Sequence, residues 1–565
     1  MGTPVEDGAL GPVGQPVDDA VRQPTHPVTH PSSLPVRSRP ARQVGSRARP
    51  GRGTFPLTGA AGPENVTVEI AIIGAGPSGL ATAAVLRQFG HDVRLFEKTP
   101  DIGGVWSATR AYPGVSTQDT RVTYAFSDVP MPADFPEHPS GAQVRAYLEH
   151  YAGVKGLTGR IHLDTRVESA EPTATGDGWV VRVVGPEGPA AHEVDWLVVA
   201  TGVFSTPSVP AWPGRAEFEA HGGRVVLPGE LGDGADLAGR RVVVVGWGKT
   251  ACDIAAAGAR SARSTTVVAR TLRWKIPKRI AGRLTFRHLL LTRVGEHLMT
   301  GSRQTLLGIV DMPVRRAALW WLRRRIARDS GLRTLGLVPT LPLPWSDSLV
   351  TEGFFEALAA GRLDVRRERS VAAMGATDGT PGVRLSDGSW LPADVVVAAT
   401  GFEQDLSVFG PSVRADLLDA DGTLLLHRRM LPLDVPRLAF AGWGHTYRSP
   451  LTAEVGAVWL AAHLAGALPQ PPRAEVERTA DRYHLTNERA RDRGEPQVPS
   501  GSFPALDVLL TDLGLPLPAS VRLRQWVVPL DPASYASLVP RLQQRLGLDT
   551  AREPASGAVP ARLGG

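Results

Sequence analysis

Over residues 1–64 the hydrophobic positions repeat with neither a period of 2 nor one of 3.6. Proline, glycine, arginine and serine dominate there, as in PSSLPVRSRPARQVGSRARPGRG, so the pattern predicts a disordered arm. A secretory leader needs an apolar run near the start, and MGTPVEDGALGPVGQPVDD has none. The pattern changes at Val66. VTVEIAIIGAGPSGLATAAVLRQFGHDVRLFEK reads as strand, glycine turn, amphipathic helix, strand, which is one βαβ unit. RRVVVVGWGKTACDIAAAGARSARSTTVVAR, from Arg240, reads as a second. Both leading strands are continuously apolar, as expected of parallel strands covered on both faces. Two further apolar strands share one ending, DWLVVATG at 195–202 and DVVVAATGF at 394–402. They carry Thr201, Thr400 and Gly401, and their repetition predicts paired crossings between two domains.

The first turn holds Gly74, Gly76 and Gly79, with Pro77 and Ser78 between the last two. In such a turn the first glycine permits the bend, the second lets a pyrophosphate approach the backbone, and the third packs helix on strand. The helix N-terminus then faces the phosphate charge. Glu97, followed by Lys98, ends the next strand about 20 residues on, where a carboxylate accepts hydrogen bonds from an unphosphorylated ribose. That points to FAD. Gly103, Gly104, Val105 and Trp106 follow closely, and the two glycines allow backbone to lie against a flavin. The second turn holds Gly246 and Gly248, with Ala251 in third position and Lys249 and Thr250 opening the helix. No acid ends its strand; Arg270 stands there, with Arg273 and Lys275 behind it. A guanidinium pairs with a 2′-phosphate that a carboxylate would repel, which points to NADPH. The expected fold is therefore α/β with two dinucleotide-binding, Rossmann-like domains. An FAD domain in two parts, 65–235 and 395–500, carries an inserted NADPH domain at 236–394, and a C-terminal extension follows at 501–565.

Composition adds two constraints. A single cysteine, Cys252, removes an internal disulfide, a CxxC redox pair and a cysteine-rich zinc site, and it suggests a reducing, cytoplasmic setting. The net charge of +6 is local. The segment 276–338 reads as a helical insertion in which basic residues far outnumber Glu296, Asp311 and Asp329. A solvated helix face beside the NADPH phosphate is the favoured reading. A channel for an anionic substrate comes second and a membrane-surface helix third. No nucleic-acid-binding module accompanies the charge, so nucleic acid is not expected as a partner.

Taken in order, these elements resemble the flavin-containing monooxygenases and their Baeyer–Villiger relatives from about Val66 to Leu515. Phe126-Ser127-Asp128-Val129-Pro130 is similar to the family's FSDxP stretch, and FAGWGHTYRSPLTAEVGAVWLA, from Phe440, to its return to the FAD domain. There Leu451 and Thr452 would open a helix beneath the flavin edge. The resemblance implies that NADPH reduces FAD, that reduced flavin takes up O2 as a hydroperoxide, and that one oxygen atom passes to a small-molecule substrate. Two positions depart from the family. Leu227 stands where the fingerprint between the domains carries a histidine, and the nearby His221 is not assumed to replace it. After Tyr112-Pro113-Gly114, heteroatom-oxidising members have an asparagine and Baeyer–Villiger members an aspartate, whereas this chain has Gln118, then Asp119. Gln118 and Asp119 are the candidate catalytic residues, with His445 a further one. The neutral amide favours oxygenation of an amine, amino-acid nitrogen or sulfur, while the YPG segment favours ketone insertion. A disulfide reductase would need a cysteine pair. An FAD oxidase would not need the second turn, and a non-catalytic binding protein would not need both turns intact.

Overall fold

The computed structural model describes residues 67–548 apart from 281–283, 286, 289–290, 301–311, 344–347, 445–448, 470, 487 and 491–502. The arm at 1–64 and His445 therefore lie outside the described residues. The chain opens with β1 (Glu69–Ile73), which leads through α1 (Pro77–Gln88) into β2 (Asp92–Phe96). Next come α2 (Gly141–Val154), β3 (Ile161–His162) and β4 (Trp196–Val199). β1 pairs in parallel with β2 and with β4 on its other side. Its alternating side chains divide between two cores. Ile70 and Ile72 pack with α1, while Ala71 and Ile73 pack with Trp179 and Phe409. That division explains why the strand is apolar without interruption.

A second sheet follows, built from β5 (Arg224–Val226), β6 (Arg241–Val245), β7 (Ser264–Ala269), β8 (Asp364–Arg367) and β9 (Val395–Ala398). Its order is β8-β7-β6-β9-β5 and every pair is parallel. α3 (Lys249–Ser261) joins β6 to β7. Between β7 and β8 the basic insertion contributes α4 (Arg293–Thr300) and α5 (Met312–Asp329), whose Leu322 and Ile326 pack with Trp274 and Ile280. β10 (Leu438–Phe440) returns to pair with β4, so the first sheet reads β10-β4-β1-β2-β3.

The last elements are α6 (Ser449–Leu464), α7 (Phe503–Asp512), α8 (Ala519–Arg524) and α9 (Leu538–Arg545). They correct the expectation of an amphipathic α1. Gly79 through Leu86 are all buried, because α6 covers the face of α1 turned away from the sheet. Phe503, Leu506, Leu510, Leu538 and Leu542 join the same core, so residues 503–548 are packed onto the first sheet's helices. Among the described residues no helix is long and apolar enough to cross a membrane.

Candidate active site

The two glycine turns are built alike. Ile73 lies opposite Phe96 in the ladder, and the next N–H, of Gly74, donates to the Phe96 carbonyl at 2.8 Å. In the second sheet Val245 lies opposite Val268, and the Gly246 N–H donates to the Val268 carbonyl at 3.0 Å. Gly74 has φ +108° and Gly246 φ +137°, a region side chains rarely enter. A Cβ on Gly74 would stand 2.8 Å from the Ala200 carbonyl oxygen, and one on Gly246 would stand 2.2 Å from that of Ala399. The ATG endings therefore form the back wall of the turns, a relationship that neither stretch of sequence reveals alone. α1 starts from Gly76 and α3 from Gly248, and neither start has a side-chain cap, which leaves the first amides of both helices open to a phosphate. Gly79 presses on the first turn, where a Cβ would come within 2.0 Å of the Gly74 oxygen. Pro77 occupies the first turn of α1, and Ser78 lies beneath Gly442 of the return loop.

Glu97 is buried beside the first turn. Its Oε2 accepts the Ala75 N–H at 2.8 Å, and its Oε1 accepts the Thr99 N–H at 3.0 Å and the Thr99 hydroxyl at 2.9 Å. A carboxylate has about four acceptor sites, so Oε2 keeps capacity for a ribose hydroxyl. Lys98 points outward. Gly104 (φ +60°) lies against the turn, and a Cβ there would be 3.0 Å from the Gly76 Cα. Trp106 is tied down by its Nε1–H, which donates to the Tyr124 hydroxyl at 2.9 Å, with Val105 half-buried beside it. Thr201 Oγ1 is buried without a hydrogen-bond partner among the described residues, next to the Ala200 wall. An unpartnered buried hydroxyl and uncapped amides beside a buried carboxylate suit an adenine dinucleotide. At the second sheet Arg270 and Arg273 are exposed just past β7. Lys275 does not stand with them; it is wholly buried, and its Nζ donates to the Trp247 carbonyl at 2.8 Å.

The crossings lie side by side. Phe402 and Glu403 pair antiparallel with Pro207 and Thr206, and the Ser208 N–H donates to the Gly401 carbonyl at 2.9 Å. The Thr400 hydroxyl donates to the Ser208 carbonyl. Arg110 clamps the pair, donating to the Phe204 carbonyl at 2.5 Å with its guanidinium 5.5 Å from the centre of the Phe402 ring.

Where the sheets' loops meet, Tyr112 reaches α3 and accepts the Thr250 hydroxyl at 3.2 Å. Burial, helped by the charge on Asp253, holds the phenol protonated. Lys249 Nζ binds the buried Asp253 carboxylate at 2.6 Å, which also accepts the Thr351 hydroxyl at 2.7 Å. Burial raises the Asp253 pKa, and Lys249 and Thr351 counter it. Gln118 is half-buried on the following loop. Asp119 is buried, with Oδ1 accepting the Thr120 N–H at 2.7 Å and the Thr123 hydroxyl, so it holds its own turn. His138, absent from the sequence reading, contacts the Asp119 carbonyl through Nδ1 at 3.1 Å. Burial and then Lys278 lower its pKa, which favours a neutral imidazole. His221 is exposed with Nδ1 2.9 Å from the Glu217 carbonyl, and Leu227 is half-buried.

Sequence reasoning also missed Glu454 on α6. It accepts the Ser127 N–H at 2.8 Å and the Ser127 hydroxyl at 2.7 Å, so the FSDVP segment is a clasp on the return helix. Leu451 is buried in the first turn of α6, and Thr452 lines a cavity of about 70 Å³ with Gly442 and Trp443. Burial raises the Glu454 pKa to about 7, and Ser127 offsets only part of that. A carboxyl with a raised folded pKa stabilises fully below its unfolded value, and that contribution is lost as pH rises through the folded one. Glu454→Gln retains both contacts without a charge, with its Oε1 accepting the Ser127 N–H and its Nε2–H donating to the Ser127 hydroxyl oxygen. Denaturation from pH 4 to 8 is expected to show the variant gaining on the parent, by on the order of 3 kcal/mol above pH 7. A pH-independent difference would count against this account.

Residues 67–493 match the flavin-binding monooxygenase-like family. An FAD-dependent monooxygenase of Pyrenophora dematioidea is 28% identical over 79% of this chain and 98% of its own length. A Baeyer–Villiger monooxygenase of Streptomyces coelicolor is 29% identical over 62% of this chain and 67% of its own. Among solved structures, an oxidized steroid monooxygenase bound to NADP superposes with a TM-score of 0.56 at 20% identity, covering 85% of this chain and 98% of that one. The match spans both parallel sheets and both glycine turns, and the chain belongs to the flavin-binding monooxygenase-like family as a flavin-dependent monooxygenase.

Proposed function

We propose that this monooxygenase oxygenates a nucleophilic nitrogen or sulfur, most plainly by N-hydroxylation of an amine or amino acid. Its cofactors are FAD and NADPH. The first sheet belongs to the FAD domain and the second to the NADPH domain, both of Rossmann type; the second sheet takes in β5 (Arg224–Val226) and β9 (Val395–Ala398), so the NADPH domain reaches past the bounds 236–394 that the sequence suggests. One observation carries the cofactor reading: two uncapped turns of similar build are followed by strands that end differently, in a buried Glu97 in one and in exposed Arg270 and Arg273 in the other.

FAD, when bound, supplies the redox chemistry and the activation of O2. The chain's residues do the rest. The backbone N–H groups of Gly76, Ser78 and Gly79 and of Gly248 through Thr250 receive pyrophosphates, with Thr201 beside the first. Glu97 accepts ribose hydroxyls, and Arg270 and Arg273 pair with the 2′-phosphate. The Tyr112–Thr250 contact holds the start of α3 against the YPG loop, the Lys249–Asp253 pair braces the same helix from within, and the nicotinamide end enters beside them. Gln118 presents a neutral amide on that loop, which favours placement of a nucleophilic substrate over charge stabilisation, and Asp119 holds its own turn through Oδ1.

Ketone insertion is the second reading, favoured by the Streptomyces coelicolor relative and the YPG segment. The test is to measure NADPH loss, O2 uptake and peroxide release with amines, amino acids, sulfides and ketones. The proposal expects one NADPH and one O2 per oxygenated amine or sulfide, with little peroxide. Coupling by ketones alone would overturn it in favour of the second reading. Peroxide release with every substrate would overturn both, leaving an uncoupled NADPH oxidase.

A further inference from the structure

The basic insertion carries a surface that the oxygenation chemistry does not use. On α5 Leu322 and Ile326 face the interior, while the opposite side bears Trp320 and Trp321, 60% and 49% exposed. At 3.6 residues per turn Arg316, Trp320 and Arg324 stack along one line, with Val314, Trp321 and Arg328 along the next. Val314 is 67% exposed. A purely solvated face does not account for two indoles in water among arginines.

A second run continues this surface. Leu523, 74% exposed, lies between the exposed Arg522 and Arg524, and Trp526 and Val527 follow, also exposed. α4 joins the two runs. At its start the Arg293 N–H donates to the Gln525 carbonyl at 2.9 Å and the Val294 N–H to the Trp526 carbonyl at 3.3 Å. Near its end the Leu298 carbonyl accepts Arg315 Nε at 2.9 Å. Every exposed tryptophan among the described residues belongs to these two runs. Beside α5 lies a groove of about 750 Å³, lined by Arg315, Arg316, Arg323, Arg324 and Arg333, with no carboxylate among its described lining residues. The Arg324 guanidinium sits 4.7 Å from the centre of the Trp320 ring, and that of Arg323 sits 5.4 Å from Trp274.

We propose that this face docks on a lipid bilayer bearing anionic phosphate headgroups. Trp320, Trp321, Leu523 and Trp526 enter the boundary between headgroups and acyl chains, and the arginines take the phosphates as forked pairs. Arginines over indoles keep their charge at headgroup level while their stems lie along apolar surface. A soluble anion would fill the groove but leave Trp321, Leu523 and Val527 in water. A bilayer covers both features at once, and with no helix able to span it among the described residues the contact is peripheral.

The test uses the full, FAD-loaded chain with vesicles of phosphatidylcholine alone or mixed with phosphatidylglycerol. Co-sedimentation is expected with the mixed vesicles, with a blue shift of tryptophan emission, and added salt should weaken it. Trp320→Ser with Trp321→Ser, and separately Arg316→Glu with Arg324→Glu, should each lower partitioning at least about tenfold, with circular dichroism and flavin content unchanged. Failure of the parent chain to bind the anionic vesicles overturns the proposal, as does equal binding to both vesicle types. Protection of the Trp320 emission by glycerol phosphate without vesicle binding would mean a soluble anion site. A concentration-dependent dimer lost in the tryptophan pair, again without vesicle binding, would mean that a second copy covers the patch. Either result overturns the proposal.

Discussion

Gly79→Ala is expected to give a folded protein that purifies without flavin. The added Cβ would stand 2.0 Å from the Gly74 carbonyl oxygen, and that turn has no room to retreat, since Gly74 already sits close against the Ala200 carbonyl. Either α1 moves off β1 or the turn changes shape, and both displace the amides that receive the pyrophosphate. Overpacking of this kind costs about 1–3 kcal/mol. Spent on the site, a cost at the upper end weakens FAD binding about a hundredfold. Flavin absorbance per protein and a titration with added FAD read the effect, and circular dichroism establishes that the chain is folded. A variant that keeps its yellow colour at the parent's stoichiometry would remove the first turn from the FAD site.

Lys249→Ala should be the more damaging change to stability. Asp253 is almost fully enclosed, and the lysine at 2.6 Å is the cation in contact with it, with Thr351 supplying a neutral donor and the buried Lys275 a weaker charge beyond contact. Removing the contacting partner of a buried pair typically costs about 3–5 kcal/mol. The sign of the pH dependence follows from burial, which already raises the Asp253 pKa and would raise it further without the lysine. A carboxyl with a raised folded pKa favours the fold at low pH and loses that advantage as pH rises. The deficit of the variant should therefore widen from pH 5 to pH 8 in denaturant melts. A loss below about 1 kcal/mol at neutral pH would show that water or another group neutralises Asp253.

Local sequence carried much of the site. Glycines at fixed spacing, an acid or an arginine after the next strand, and apolar runs covered on both faces are properties of short segments, and the chain places them as those segments imply. What stayed hidden depends on residues far apart in sequence. Ser127 and Glu454 are 327 positions apart, and Tyr112 and Thr250 are 138 apart. No periodicity links such pairs. The ATG endings were visible as a repeat, but their alanine carbonyls as the wall behind Gly74 and Gly246 were not. α1 reads as amphipathic because its second cover, α6, begins more than 350 residues later. Lys275 counts among the basic residues behind Arg270, yet it turns inward to the Trp247 carbonyl and so adds nothing to an outward phosphate site. Charge read along a sequence carries no direction, and the same limit applied to α5, where the outward tryptophans rather than the arginines distinguish the surface.

The claim that one turn holds FAD and the other NADPH is tested most directly by mixing the FAD-loaded protein with NADPH or NADH in the absence of oxygen and following the loss of flavin colour. The account expects NADPH to bleach the flavin at low concentration, NADH to need at least about tenfold more, and Arg270→Ala with Arg273→Ala to erase that difference while leaving flavin content unchanged. Equal bleaching by both nucleotides in the parent protein, or a preference that survives the double substitution, would contradict it.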